Sequence, residues 1–451
     1  MGEAEYARRP VSGRGAKREK VRKAGFLSGI YDMLKERGWV IEGSADSGFF
    51  ILVLILLAFG VVMMFSASYV ASYYKNGNSY VFFIKQLQFA LLGIVVMIAA
   101  SKFNFRKLDG GLAWLLAGFA LACLIAVLFT APDAGGTRRR LVFFQPSDVA
   151  KFVLVLFLAH NMSRQHKYFK NKTTARVCFR AAVKPEIYGQ RIVGNKNGLF
   201  TANTVLTFYY AAVIGVCAVL ILLEHHLSGT ILILLIGVSM LAFGGVKPKW
   251  FIIAGCVIVP VAVAIIVICK NYKENGILET GLGPIHSYQL ERIVAWLDKS
   301  YEPTDGRWQI NNSLYAIASG GPFGLGFGES RQKQMFVSEP QNDFIFSIIC
   351  EELGYVGATV IIVLFALLIY KGFVIASTSD DLFGSLLVMG IMAQVGFQVV
   401  LNIMVVTDTM PNTGISLPFF SYGGTSLVML LGEMGLVLSV SRSRNKQAEA
   451  A

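Results

Sequence analysis

Charge is scarce in this chain. Asp, Glu, Lys and Arg supply only 15% of its 451 residues, where a soluble protein carries roughly a quarter. An ordinary soluble enzyme or carrier is excluded on that ground. Cysteine is sparse too: Cys123, Cys178, Cys217, Cys256, Cys269 and Cys350, five in apolar runs and one in a basic loop. None has metal-ligand spacing, so neither a disulfide framework nor a zinc module is expected. The period-two alternation of sheet strands is also missing. No cleavable leader is expected, because the first 48 residues are polar and basic and the first apolar run is long enough to span a bilayer.

What is abundant is apolar sequence, 55% of the chain, gathered in ten blocks near 49–70, 81–101, 112–130, 146–162, 205–223, 228–244, 250–269, 344–370, 383–407 and 424–440. About 20 apolar residues cross a bilayer core as a helix. The expected fold is therefore all-α and polytopic: ten transmembrane helices with a large extracytoplasmic loop between spans seven and eight. The net charge of +13 does not imply nucleic acid, because Lys and Arg concentrate in the first 23 residues and in the loop after span four. With ten spans these segments share one side, which predicts both termini in the cytoplasm. The organisation expected is a basic cytoplasmic tail, 1–48, with affinity for anionic lipids. A membrane domain, 49–441, follows, with a cytoplasmic loop at 163–204 and an extracytoplasmic loop at 270–343. A cytoplasmic tail, 442–451, ends the chain. Residues 26–40 suit either an interfacial amphipathic helix or a plain linker.

Four features at the outer face carry potential chemistry. Asp343, in Asn342-Asp343-Phe344-Ile345-Phe346, puts a carboxylate where a polar loop meets a long apolar run that also holds Glu351-Glu352. An acid at a membrane boundary is either a functional group or an interfacial acid that stays in water. It follows Gln332-Lys333 and Glu339, and beside cations it can act as a general base toward a hydroxyl. Arg138-Arg139-Arg140 lead into Gln145-Pro146-Ser147-Asp148 with Lys151. This is either a capped helix start with a local i, i+3 ion pair or a cationic patch for an anionic substrate. Glu224-His225-His226 lacks a third ligand at useful spacing, which disfavours zinc. The glycine-dense segment 319–328 has no βαβ context, so it reads as a glycine-rich turn or a re-entrant segment packed closely on helices rather than a nucleotide loop. Pro418 through Ser426 adds hydroxyls, Ser421 and Tyr422 among them, and bendable backbone just before the last span.

Several motifs together resemble one family, the SEDS proteins (shape, elongation, division and sporulation). They are Gln145-Pro146-Ser147-Asp148 with Lys151; Leu227-Ser228-Gly229-Thr230; Tyr288-Gln289 with Arg292; Ser319-Gly320-Gly321; Asn342 through Phe346 with Glu351-Glu352-Leu353-Gly354; and Pro411 through Gly414 with Leu417-Pro418-Phe419 and Ser421 through Gly424. The resemblance covers roughly 48–442 and is nearest the FtsW and SpoVE branch. It departs from the family pattern at Asp148, where glutamate is usual, at Arg140, at His225, across Val337–Gln341, and in the insertion at 163–204.

The resemblance implies a peptidoglycan glycosyltransferase in the bacterial cytoplasmic membrane. It would polymerise lipid II, the undecaprenyl-pyrophosphate disaccharide pentapeptide, on the outer face. Its partners would be a class B penicillin-binding protein with transpeptidase activity and other division or sporulation proteins. The family's essential aspartate falls on Asp343. Substrate contacts are expected from Arg138, Arg139, Asp148, Lys151, Arg292, Lys333, Glu339, Ser421 and Tyr422. No resident metal is expected from the sequence, and a magnesium or manganese ion at the pyrophosphate is left open. A lipid II flippase and a non-catalytic scaffold for the transpeptidase are the rival functions. Clustering of the polar motifs at one face, rather than through the midplane, weighs against the flippase.

Overall fold

The computed structural model describes residues 32–130, 141, 144–170, 202–271, 287–299 and 306–450. Twelve α-helices are present there: α1 (Ser47–Asn76), α2 (Val81–Lys102), α3 (Gly111–Val127), α4 (Pro146–Lys170), α5 (Ala202–Leu223), α6 (Leu227–Phe243), α7 (Pro248–Lys270), α8 (Ser287–Leu297), α9 (Gly306–Ser319), α10 (Ile345–Ser377), α11 (Leu382–Val406) and α12 (Gly424–Ala450). Among the described residues there is no strand, only two isolated bridges. Backbone groups in lipid must be satisfied within each segment, which helices do.

Seven helices are long and apolar enough to cross a membrane: α1, α2, α5, α7, α10, α11 and α12. The chain is thus a polytopic helical membrane protein. Each of the ten predicted apolar blocks falls on a helix. Three of them miss the criterion: α3 and α6 have only 17 residues apiece, and α4 ends in the polar run Ser163–Lys170.

The ends of these helices follow local chemistry. Asp46 caps α1 by accepting the Phe49 N–H at 2.9 Å, and Asp381 caps α11 by accepting that of Phe383 at 3.1 Å. Within the predicted basic tail, residues 39–46 are tied to the bundle. The Ile41 N–H donates to Lys102 O, the Asn104 N–H to Trp39 O, and the Arg442 guanidinium to Gly43 O. Residues 32–36 are helical and 37–40 are not, so the proposed amphipathic helix stops at 36; residues 26–31, like most of the tail and the insertion, lie outside the described residues. α12 continues past 442 to Ala450.

α11 is the most enclosed of the long apolar helices and α7 the least. α10, α6 and α4 pack around α11, while α12 lies along α2. Two acids in the first turns of α10 organise the end of the bundle where that helix begins. Glu351 accepts hydrogen bonds from Ser330 Oγ and from the Arg331 and Gln332 N–H groups. Glu352 pairs with Lys333 Nζ at 2.7 Å, both nearly inaccessible to solvent, and accepts from Ser66 Oγ on α1. Gly354 breaks the helix just beyond, at φ 68°. The glycine-dense segment packs on this kink: a Cβ on Gly324 would stand 2.1 Å from Glu352 O. The segment packs closely at Gly320 and Gly324, while Gly321 and Gly328 face open space.

Candidate active site

Five helices and the loops between them line a cavity of about 500 Å³. From α2 comes Phe89, from α4 Asp148 and Lys151, from the turn before α6 His226, from α6 Ser228, from α11 Gln394 and from α12 Glu433. The loop before α10 contributes Glu339 and Asp343, and the loop between α11 and α12 contributes Gly414 through Tyr422.

Asp343 stands where the loop after α9 turns into α10. Its carbonyl accepts from Asn402 Nδ2 at 2.8 Å, and the same amide donates to Ile415 O at 2.7 Å. One buried asparagine on α11 thus aligns both walls. The Asp343 carboxylate flanks Gly414: a Cβ there would lie 3.1 Å from Asp343 Oδ2 and 3.8 Å from Arg292 Nη1. Gly414 has φ 72°, so a side chain is disfavoured by backbone and by space alike. Arg292 comes to this point from α8 and donates to Asn412 O at 3.1 Å. α8 and α9 are latched to the same segment by the enclosed Arg307–Asp408 pair at 3.0 Å and by Trp296 Nε1 donating to Asp408 O.

Lys151 pairs with Asp148 at 2.7 Å, one turn apart on α4, and both are largely shielded from solvent. Both readings of this pair survive, because the ion pair is local and also faces the cavity. Glu339 pairs with Lys75 of α1 at 2.7 Å, half exposed at the rim, and accepts from Asn342 Nδ2. Ser421 Oγ donates to Asn342 O and accepts the Leu417 N–H, each at 2.7 Å. The Tyr422 N–H donates to Gln341 O, and its ring rests 5.1 Å from that of Phe82. Ser421 and Tyr422 therefore clamp the Asp343 loop to the entry of α12.

Of the residues expected at the site, Asp343, Asp148, Lys151, Glu339, Ser421 and Tyr422 line one cavity, and Arg292 stands beside Asp343 behind Gly414. Lys333 is a correction. It is absent from the cavity lining and buried against Glu352, Ser66 Oγ and Gly328 O. The physical reason was on view in the sequence: Glu351-Glu352 sit in an apolar run, and buried acids demand a cation or several donors. Arg138 and Arg139 lie outside the described residues. Glu433 and Gln394 were missed, although an acid inside the apolar run of the last span is itself a signal. Among the described residues no three His, Cys, Asp or Glu side chains gather as metal ligands. Asp148 is engaged by Lys151, and Glu339 by Lys75 and Asn342. The described residues of the cavity thus present no preformed ligand set for a divalent ion.

A family model for FtsW, RodA and SpoVE, described as "Cell cycle protein", matches residues 47–446. The chain belongs to this FtsW/RodA/SpoVE family. Stage V sporulation protein E of Bacillus subtilis (strain 168) is 32% identical over 407 residues, covering 88% of this chain and 97% of that protein. A probable peptidoglycan glycosyltransferase FtsW of Geobacter sp. (strain M18) is 30% identical over 395 residues, covering 86% and 94%. A chain in a solved structure described as "Structural coordination of polymerization and crosslinking by a peptidoglycan synthase complex" aligns with a TM-score of 0.63 at 25% identity, over 89% of this chain and 98% of that one. The crystal structure of the rod shape determining protein RodA of Thermus thermophilus aligns with a TM-score of 0.56 at 25% identity, with the same coverage. FtsW/RodA/SpoVE membership thus extends over α1 to α12 and includes every element of the cavity.

Proposed function

We propose that this protein is a peptidoglycan glycosyltransferase that polymerises lipid II at the outer face of the bacterial cytoplasmic membrane. The observation that carries this reading is the cavity. It joins a carboxylate at the end of an outer loop, Asp343, to a lysine on a membrane helix, Lys151. The relatives named as glycosyltransferases cover nearly the whole chain. In the topology we favour, α1 to α7 and α10 to α12 are ten spans, α8 and α9 belong to the extracytoplasmic loop, and both termini are cytoplasmic.

The chemistry follows from the groups present. Asp343 accepts the proton of the 4-hydroxyl on one lipid-linked disaccharide. That oxygen attacks the anomeric carbon of the second sugar, the bond to pyrophosphate breaks, and the configuration inverts. The leaving group is an anion already, so a second acid of the glycosidase kind is unnecessary. Charge developing on the pyrophosphate is met by Lys151, with Arg292 beside Asp343 and with Arg138 and Arg139 as further candidates. A class B penicillin-binding protein is the proposed partner, because a crosslinking enzyme must act on the strand this site releases.

The test is polymerisation of purified lipid II by wild type and by Asp343→Asn, with and without that transpeptidase. Glycan strands from wild type and none from the variant support the assignment. Transbilayer movement of lipid II without polymer identifies a flippase instead, and polymer from both proteins removes Asp343 from the chemistry.

A further inference from the structure

The glycine-dense turn after α9 has no part in the mechanism above, yet it is built into a membrane helix. An unbroken α10 would join the Tyr355 N–H to Glu351 O and the Val356 N–H to Glu352 O. The kink at Gly354 falls between these donors and acceptors. The turn supplies a partner to each of the four. The Leu325 N–H donates to Glu351 O at 2.9 Å and the Gly326 N–H to Glu352 O at 3.1 Å. In return the Tyr355 N–H donates to Gly321 O at 2.9 Å and the Val356 N–H to Pro322 O at 3.0 Å. The approach leaves no room for side chains on the helix side: a Cβ on Gly320 would lie 2.0 Å from Cys350 O.

The opposite side of the turn is apolar and uncovered. Residues 319–328 carry no charge. Phe323 is 81% exposed and Phe327 50%, and the next charged residues, Glu329 and Arg331, are exposed in turn. Tyr355, 75% exposed, stands beside them and begins a stripe that runs on along α10 through Val356, Val360 and Val363. That stripe belongs to a membrane-spanning helix, so the patch on the turn continues a lipid-facing surface. From Tyr355 to Ser377 about 20 residues of α10 remain, enough to cross a hydrocarbon core. Tyr355 then falls at headgroup level, where tyrosine is favoured. Non-helical backbone is tolerated at such depth only where protein satisfies it, and α10 does so here. We propose that the turn 320–327 is a re-entrant lipid anchor. Phe323 and Phe327 insert among phospholipid acyl chains just below the headgroups. Through its bonds to α10 the turn fixes how far the loop carrying Glu339 and Asp343 stands from the bilayer. In the topology favoured above, the leaflet is the outer one.

The test uses the full-length protein in vesicles of phosphatidylglycerol and phosphatidylethanolamine that include a phospholipid with a diazirine in its acyl chain. Irradiation and peptide mass mapping then report lipid contact along the chain. We expect labels on Phe323 and Phe327 within roughly threefold of those on the exposed face of α10, because an interfacial anchor reaches about 5–10 Å into the headgroup and acyl boundary. A labelled α10 with an unlabelled 319–328 overturns the proposal. So does loss of the label on the turn when a class B penicillin-binding protein is added, which would make the patch a protein-binding surface. A second readout compares the variant with Phe323→Ser and Phe327→Ser, which removes the apolar surface and leaves the bonds to α10. Its turn should lose most of its label while α10 keeps its own, and an unchanged label on the turn shows that the two rings do not insert. Neither readout needs polymerisation, so a failed functional assignment leaves the anchor standing, and labelling by lipid of either leaflet supports it.

Discussion

Asp343 and Lys333 are ten residues apart, and both sit near acids and cations, yet they do different work. Asp343 faces an open cavity. Lys333 is sealed against Glu352. Asp343→Asn should leave the melting temperature near that of wild type and lower turnover by about 10²- to 10⁴-fold, the usual worth of a general base; a paired melting and polymerisation measurement checks this. Lys333→Met should do the reverse. Removing one partner of a buried pair leaves an uncompensated charge and costs about 3–5 kcal/mol, so it should show first as a lower melting temperature. Asp109, between α2 and α3, behaves differently again. Burial pushes its carboxyl up, but the His160 hydrogen bond and the Arg164 charge outweigh burial and hold it below the ordinary value of 3.8. A carboxylate with a depressed folded value stabilises fully above the ordinary value, and the effect is lost as pH falls through the lower one. Melting followed from pH 6 down to 3 should therefore show an acid loss in wild type that is smaller in Asp109→Asn.

At the scale of elements, the decisive feature is the joint between the outer loop and α10. Glu351 and Glu352 gather the loop backbone and α1 within two residues of helix. Gly354 then takes a backbone conformation that only glycine adopts readily, at φ 68° and ψ −170°. A Cβ at that position would meet Gly324 N at 2.3 Å. Gly354→Ala should cost roughly 1–3 kcal/mol from the backbone alone, and more from the collision. The expected result is a lower melting temperature together with reduced polymerisation, because the strand that carries Glu339 and Asp343 hangs from this joint. Normal melting and activity in Gly354→Ala would show that the joint has slack.

For the whole molecule, the distribution of charge makes a topological statement that labelling can check. Single cysteines at 163–204 should react from the cytoplasm and those at 270–343 from outside. Truncation should also discriminate. Removal of residues 1–31 should preserve polymerisation. Removal of 1–47 should not preserve stability, because Trp39, Ile41, Gly43 and Asp46 tie the first span to α2 and α12. A fully stable 1–47 deletion would show those ties to be dispensable.

Composition and apolar block length determined the fold class, because a helix is the way an isolated apolar segment satisfies its backbone in lipid. A helix stands at each of the ten apolar blocks, but α1, α4, α10 and α12 run past the ends of theirs, and α8 and α9 had no block to announce them. Local motifs determined that Asp148 would meet Lys151, since i, i+3 residues on a helix are neighbours whatever surrounds them. They also marked Asp343 as the acid at the membrane boundary. Whether a polar group faces a cavity or a buried partner was decided only by tertiary structure. Lys333 looked free in sequence because Glu352 is 19 residues away and Ser66 is 267 away. Glu433 was hidden among leucines because the amide that receives it, Gln394, lies 39 residues away on another helix. The union of the loop before α10 with the loop before α12, through Asn402 and Ser421, depends on contacts 13 to 79 residues apart. Periodicity reports the face a residue shares with its own helix; the partner that arrives at that face is fixed by how the helices pack.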